Sequence, residues 1–261
     1  MLRPFIEIFK HRRIIFNTTL RELQSRNAGS ILGVFWLVIY PVLFLAMYAF
    51  IYLMVFKIRL AIMSPYEYVM LIFCGLIPFL SFAESLSRGV GAVTSNSSLI
   101  KNTLFPIELI PVNVVLSSKV ILLVGFLMLL GVMIYFHKVG YYYFYLPLVI
   151  LLQILFTIGV TWIISALNVF FRDLGQIISL VVLMLMMISP IAYTEDMIPQ
   201  ELKSVLYVNP LYYLIVLYQK IFMFNSIDYK LLGIFAAIAL VTFIIGYYFF
   251  IKLKGVFSDY I

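Results

Sequence analysis

The sequence predicts an all-helical integral membrane protein with six transmembrane helices, an N-terminal amphipathic interfacial helix and a re-entrant helical hairpin before the last span. First, 65% of the 261 residues are hydrophobic and only 11% are charged, whereas soluble domains carry about 25% charged residues. Second, the mean hydropathy is +1.13. Third, the apolar residues form long continuous runs, without the alternation in segments of about 10 residues that marks a transmembrane β-barrel.

Residues 1–29 are predicted to form a cytoplasmic interfacial region, and residues 30–261 a transmembrane domain. In the first region, apolar residues recur at helical spacing among basic residues, which is typical of a helix lying on a membrane surface. We expect this helix to be broken near Asn17-Thr18. It acts either as an anchor alone or as an anchor that also docks a cytoplasmic partner. Gly29-Ser30 marks the turn into the bilayer.

Six apolar runs are long enough to cross about 30 Å of hydrocarbon as helices. Pro41 should kink the first span, and Glu84 and Arg88 have the spacing of a helical ion pair. Lys119 lies inside the third span, so it either snorkels to the interface or faces a conduit or a partner. The predicted spans are 31–56, 68–86, 107–136, 146–171, 174–193 and 231–251.

Two further segments have a distinct composition. The connector 89–106 is rich in Ser, Thr and Asn but carries Leu99-Ile100 in its middle. It is either an ordinary loop or a segment built to press on a partner, with Ser97 or Ser98 capping a short helix. The second segment precedes the last span. Its apolar part, 211–224, is too short to cross about 30 Å, which predicts a re-entrant hairpin over about 197–224.

The distribution of basic residues predicts the topology. With six spans and both termini in the cytoplasm, eleven of the 18 Lys and Arg residues lie inside and six lie outside, with Lys119 within a span. This agrees with the positive-inside rule. The net charge of +7 is therefore interpreted as a topology signal and as contact with membrane lipids, not as a nucleic-acid site.

The sequence offers no catalytic, cofactor-binding or metal-binding site. It has no G-x-x-x-x-G-K-[ST] motif, so it should not bind ATP through a P-loop. Its two histidines, His11 and His137, fall on opposite faces of the membrane in this topology. Cys74 is the only cysteine and is expected to be a small core residue. Few acidic residues fall near span centres, which argues against an ion-coupled transporter. The chain therefore looks like a conduit that takes its energy from a cytoplasmic partner.

Five ordered segments resemble the membrane subunits of type-2 ABC exporters, in the branch that exports polysaccharides such as O-antigen, capsule and teichoic acid. They are RELQSRNAGSILGVFWLVIYPVLFLAMYAFIY at 21–52, SLIKNTLFPIELIP at 98–111, NVFFRDLGQ at 168–176, SPIAYTEDMIP at 189–199 and VNPLYYLI at 208–215. Each segment alone is a weak match. Their order along nearly the whole chain makes the resemblance specific.

The resemblance implies a homodimer bound to two copies of a separate cytoplasmic P-loop ATPase subunit, which would hold ATP and magnesium. The implied ATPase contacts are Arg12, Arg13, Arg21, Glu22, Arg26, Ser97, Ser98, Leu99, Ile100, Lys101 and Asn102. The implied channel wall includes Phe35, Trp36, Tyr40, Phe44, Tyr48, Met184 and Met187. The implied outer-mouth hairpin includes Pro199, Asn209, Pro210, Tyr212 and Tyr213. Each aromatic residue and methionine could instead be lipid-facing or core packing.

The resemblance predicts a permease that is not itself an enzyme. It would export a lipid-linked polysaccharide across the cytoplasmic membrane of a bacterium. O-antigen is the expected cargo, and capsule is the next candidate. One alternative is a type-2 ABC exporter of a small lipid or drug, with the same architecture. A second alternative is a membrane scaffold that transports nothing, which would need neither the polar connector nor the hairpin.

Overall fold

The computed structural model describes residues 3–25, 30–51, 54, 64–97, 106–193, 204 and 206–260. Across these ranges the regular secondary structure is helical, as predicted. The helices are α1 (Arg3–Lys10), α2 (Arg12–Ser25), α3 (Trp36–Phe50), α4 (Pro65–Gly89), α5 (Leu109–Tyr135), α6 (Leu146–Phe170), α7 (Leu174–Ile188), α8 (Pro210–Phe224), α9 (Tyr229–Lys254) and α10 (Phe257–Tyr260). Short 3₁₀ turns cover Gly33–Phe35, Thr94–Asn96 and Tyr141–Tyr145.

Among the described residues, four helical segments are long and apolar enough to cross a membrane. They are α4, α5, α9, and α6 together with the 3₁₀ turn before it, and each lies within a few residues of a predicted span. This makes the chain a multi-pass membrane protein. The helices α3, α7 and α8 are apolar but have only 15 residues each, or about 22 Å of rise. Residues 52–53 and 55–63, where the first span was predicted to end, lie outside the described residues.

The interfacial helix bends at a different place from the one predicted. The chain is helical through Asn17 and Thr18, where the Thr18 hydroxyl donates to the carbonyl oxygen of Ile14. The break falls at His11, between α1 and α2. Ile15 anchors α2 because its side chain is buried in a cluster with Val112, Trp162 and other residues of α5, α6 and α9.

The end of α7 also differs from the prediction. The helix stops at Ile188, five residues before the predicted boundary, because Ser189 adopts an extended conformation before Pro190. A residue that precedes proline is disfavoured in the helical region. The chain then packs back on α4, where the Tyr68 hydroxyl donates to the carbonyl oxygen of Ala192 at 2.8 Å.

The most extensive helix packing joins α6 and α9. Two glycines allow it, because a Cβ on Gly246 would lie 2.2 Å from the carbonyl oxygen of Gly159. Small residues commonly mediate this close approach of helices in membranes. Trp162, one turn along α6, is buried against Phe243 and Tyr247 of α9. The α6–α9 pair therefore forms the central helix contact of the bundle.

Contacts between helix ends show which ends lie on the same side of the bundle. At one end of the bundle, Lys254 at the end of α9 bonds Glu108 at the start of α5 at 3.0 Å. At the other end, Lys138 after α5 pairs with Glu67 in the first turn of α4. There, too, the hydroxyls of Tyr145 and Tyr229 lie 3.2 Å apart. These groupings match the alternation of ends that the predicted topology requires.

Two polar positions within the spans illustrate what the sequence could and could not predict. Glu84 and Arg88 do approach each other, at 3.9 Å, as their helical spacing predicts. Lys119 neither snorkels nor faces an open path, because the residue is 5% exposed and its Nζ donates to Ser81 Oγ of α4 at 3.2 Å. Cys74 is fully buried, as expected of a core residue.

Candidate functional site

The predicted partner-docking surface begins on α2. Arg12, Arg13 and Arg21 are exposed, and Glu22 is half-buried. Glu22 pairs with Arg88 at the end of α4, and Arg88 also reaches Glu84. The ion pair therefore ties α2 to the end of α4.

A polar cleft of about 440 Å³ lies beside this ion pair, between α2 and the start of α5. Arg21 and Glu22 line one side, and Asn96 and Asn113 line the other. The hydroxyl of Thr19 donates to the side-chain oxygen of Asn113 at 3.4 Å. The cleft therefore reaches from α2 to the last residue of the 3₁₀ turn at Thr94–Asn96.

The predicted docking set continues beyond α2 into the connector. Arg26, Ser98, Leu99, Ile100, Lys101 and Asn102 lie outside the described residues. Ser97 lies at the near end of the connector, directly after the 3₁₀ turn. That turn is held to α6 by Asn168, whose side-chain nitrogen donates to Thr94 Oγ1 at 3.4 Å, while its side-chain oxygen is buried without a partner. The turn thus connects the docking region to the bundle.

The predicted channel-wall residues before and within α3 divide into two groups. Phe35 and Tyr40 are strongly exposed, at 72% and 59%, and Trp36 is exposed less. Phe44 and Tyr48 are partly buried against the main core. Rings succeed one another along the helix, with centroids 6.2 Å apart from Tyr40 to Phe44 and 5.0 Å from Phe44 to Tyr48. Successive turns of α3 therefore carry a strip of aromatic rings.

The methionines of α7 are mostly not core filler. Met184 and Met187 are 62% and 69% exposed, whereas Met186 packs against the main core. Ile177 and Leu180 are exposed as well. The helix packs mainly on α4 and α6. It therefore presents an apolar face that nothing covers within the described part of this single chain.

The predicted outer hairpin is anchored to the end of α7. Asn209 caps α8 by accepting a hydrogen bond from the Leu211 N–H at 3.0 Å, and its side-chain nitrogen donates to Ser189 Oγ at 3.0 Å. Pro210 occupies the first helical turn, where proline is well tolerated. Gln219 donates to the carbonyl oxygen of Pro190 at 2.8 Å. The start of α8 is thereby fixed to the segment that follows α7.

The first two tyrosines of α8, Tyr212 and Tyr213, make local contacts. Tyr212 is buried against Leu206 and Val216. The Tyr213 hydroxyl donates to the carbonyl oxygen of Tyr207 at 2.9 Å. Pro199 lies outside the described residues. Of this predicted set, Tyr212 is therefore a packing residue in the structure.

The far end of α8 meets the side of the bundle where α6 and α9 begin. Tyr143 donates from its hydroxyl to the carbonyl oxygen of Phe222 at 3.1 Å. Asp228, the N-cap of α9, bonds Lys220 of α8 at 2.9 Å. The hydrogen bond from Lys220 lowers the pKa of Asp228, with further lowering from backbone N–H groups of α9. The carboxylate therefore stays charged at neutral pH and links α8 to α9.

A buried network that was not predicted joins α8 to α6 and α4. The Tyr218 hydroxyl donates to Gln153 Oε1 at 2.8 Å, and Gln153 Nε2 donates to the carbonyl oxygen of Pro78 at 2.9 Å. The available signal was the presence of single polar residues within apolar runs. For the Glu22–Arg88 pair no local signal existed, because the two residues are 66 positions apart.

Metal chemistry has no support among the described residues, where no group of three or more His, Cys, Asp or Glu could hold a metal ion. What the geometry offers instead is mechanical. The basic helix α2 is ion-paired to α4, the exposed apolar faces of α3 and α7 are uncovered within the described part of the chain, and α8 is hydrogen-bonded to the segment after α7 and to the turn before α6.

Comparison with known proteins agrees with this geometry. Residues 15–223 match the family described as ABC-2 type transporter. The chain is 31% identical over 247 residues to the O-antigen export system permease protein RfbA of Klebsiella pneumoniae, covering 92% of each chain. It is 29% identical over 226 residues to the protein of that name from Myxococcus xanthus, covering 85% of each. It is also 27% identical over 233 residues to the polysialic acid transport protein KpsM of Escherichia coli, covering 87% of this chain and 88% of the relative. The predicted resemblance is confirmed, and the chain belongs to the ABC-2 type transporter family.

Proposed function

We propose that this chain is the membrane subunit of an exporter that carries lipid-linked polysaccharide across the cytoplasmic membrane. O-antigen is the proposed cargo, and capsule is the next candidate. The observation that carries the proposal is the similarity over nearly full length to permeases named for O-antigen and polysialic acid transport. The family is one of transporter permeases, so the chain is not itself an enzyme. Energy comes from a separate ATPase subunit that binds ATP and magnesium.

The working unit is a homodimer. The uncovered apolar faces of α3 and α7 support this, since they carry the exposed residues Tyr40, Met184 and Met187. In the dimer these faces from two copies line one path. Aromatic rings on this wall stack weakly against the CH faces of sugars, which allows sliding contact without dependence on the sugar sequence.

The ATPase docks on the interfacial helices and on the connector that follows the 3₁₀ turn at Thr94–Asn96. Closure of the ATPase pair on ATP pushes α2, and the Glu22–Arg88 pair transmits the push to α4. The dimer interface then widens and admits the polymer. Several ATP cycles move a long chain.

The six-span topology has both termini in the cytoplasm and α8 as the returning limb of the outer hairpin. Support comes from both ends of α8. Its start is fixed to Ser189 after α7, and its end is fixed to Tyr143 before α6.

Deletion of the gene tests the proposed cargo. The expected result is loss of surface polysaccharide, with lipid-linked polymer accumulating in the cytoplasm and normal surface display on complementation. Unchanged surface polysaccharide in the deletion strain would contradict the proposal and would turn attention to efflux of a small lipid or drug.

A further inference from the structure

A large apolar groove lies between the interfacial helices and the bundle. Its volume is about 1030 Å³, which is at the upper end of the roughly 300–1,000 Å³ that ligand pockets occupy. Leu116 of α5, Leu155 of α6 and Phe243 of α9 contribute to its floor, and Phe9 and Phe16 contribute to its wall. Phe9 and Phe16 are strongly exposed, although both are large and apolar.

The shape of the groove suits an extended hydrocarbon chain. Leu151, Ile154, Leu155 and Ile158 all line it. Their spacing places them on one face of α6, and they rise about 10 Å along that helix. The groove therefore runs along α6, starting from α1 and α2.

The charged residues that line the described groove are both cations. Lys10 and Arg12 lie at the junction of α1 and α2, and the Arg12 guanidinium is 4.7 Å from the centroid of the Phe9 ring. Glu7, the nearest acid on α1, lies 3.5 Å from His11. A phosphate placed at this mouth would meet two positive side chains while its chains lay on apolar surface.

We propose that the groove binds one anionic phospholipid of the surrounding bilayer, with its phosphate at Lys10 and Arg12 and an acyl chain along α6. A resident lipid is chosen over the cargo because no described lining residue belongs to α3 or α7. The choice of a resident lipid over the cargo rests on the transport path proposed above. The presence of the groove and of its two cations does not depend on that path. The lipid fills the space beneath α1 and α2 and fastens them to the bundle.

Native mass spectrometry of the purified full-length protein, titrated with phosphatidylglycerol or phosphatidylcholine, tests the headgroup. The double variant K10Q/R12Q should bind phosphatidylglycerol about fivefold more weakly for each charge removed. The matched control R13Q/K252Q removes one Arg and one Lys that are exposed and do not line the groove. It should bind phosphatidylglycerol like the unmodified protein. Equal affinity for the two lipids would overturn the proposal, and so would equal loss in the two double variants.

A second variant tests the groove without changing charge. Leu155→Trp should fill the floor and reduce phosphatidylglycerol binding. Leu123→Trp, at an exposed position of α5 outside the groove, should leave it unchanged. Unaltered binding in Leu155→Trp would overturn the proposed position of the acyl chain. Recovery of the polysaccharide's lipid carrier from the unmodified protein, but not from K10Q/R12Q, would make the groove a cargo site and would also overturn the proposal.

Discussion

Replacing Gly246 with alanine should weaken the packing of α6 on α9. The new Cβ would lie 2.2 Å from the carbonyl oxygen of Gly159, whereas close C···O contacts in proteins are about 3.3–3.6 Å. The two helices must therefore separate by about 1 Å or bend. The obstacle is backbone, so no side-chain rotation can relieve it. Overpacking of this kind costs about 1–3 kcal/mol.

The control variant is Gly233→Ala in the same helix. A Cβ at Gly233 has no described atom within 4 Å, so alanine should stabilise the helix by up to about 1 kcal/mol through its higher helix propensity. Since both changes replace glycine with alanine in α9, the difference between the two variants isolates the packing cost. Gly159→Ala should resemble Gly246→Ala, because its Cβ would lie 2.5 Å from the carbonyl oxygen of Thr242.

Thermal unfolding in detergent, followed by tryptophan fluorescence, provides the assay. The chain has two tryptophans, and Trp162 is buried at the α6–α9 contact. A Trp36→Phe background leaves it as the only reporter. At about 2–4 °C per kcal/mol for a chain of this size, Gly246→Ala should unfold several degrees below Gly233→Ala. Equal unfolding temperatures would refute the close crossing.

Three further predictions concern coupling, topology and the outer hairpin. Glu22→Gln or Arg88→Gln should lower export more than it lowers the unfolding temperature, because a partly exposed ion pair contributes at most about 1 kcal/mol to stability. Export restored by exchanging the two residues would support coupling of α2 to α4 through this pair, and normal export in both single variants would refute it. Cysteines at Pro199 and Ser226, in a Cys74-free background, should both react with an impermeant reagent from outside; reaction from opposite sides would overturn the hairpin. Asp228→Ala should unfold at a lower temperature than Asp228→Asn, since asparagine keeps the helix cap, worth about 1 kcal/mol. Equal unfolding temperatures of the two Asp228 variants would contradict the capping role. Because the pKa of Asp228 is lowered in the folded state, the contribution of its ion pair with Lys220 to stability is present at neutral pH and is lost as the pH falls through that pKa.

The long helices were predictable because each is a continuous apolar run with polar ends. The start of α4 at Pro65, earlier than predicted, also had a local signal. Ser64 and Glu67 form a capping box, with the Glu67 N–H donating to the Ser64 hydroxyl at 3.3 Å. The S-x-x-E pattern could have identified it. Likewise, Pro190 could have indicated the early end of α7.

Long-range pairings were not predictable in the same way. Nothing around Gly159 indicates that it contacts Gly246. Nothing around Lys119 indicates that its ammonium group donates a hydrogen bond to the Ser81 hydroxyl. Such contacts depend on which helix faces pack together, which a single sequence does not specify. The candidate site followed the same division, since the aromatic residues Tyr40, Phe44 and Tyr48 could be named from the resemblance whereas the Arg88 partner of Glu22 could not.

The most direct test of the central claim is transport by inside-out vesicles of the cytoplasmic membrane that contain this protein and its ATPase. Lipid-linked polysaccharide added outside such vesicles should become protected from a glycan-degrading enzyme when ATP is supplied. Vesicles without this protein should give no protection. The account predicts protection that requires ATP and this chain together. Polymer that stays fully accessible under all conditions would contradict it.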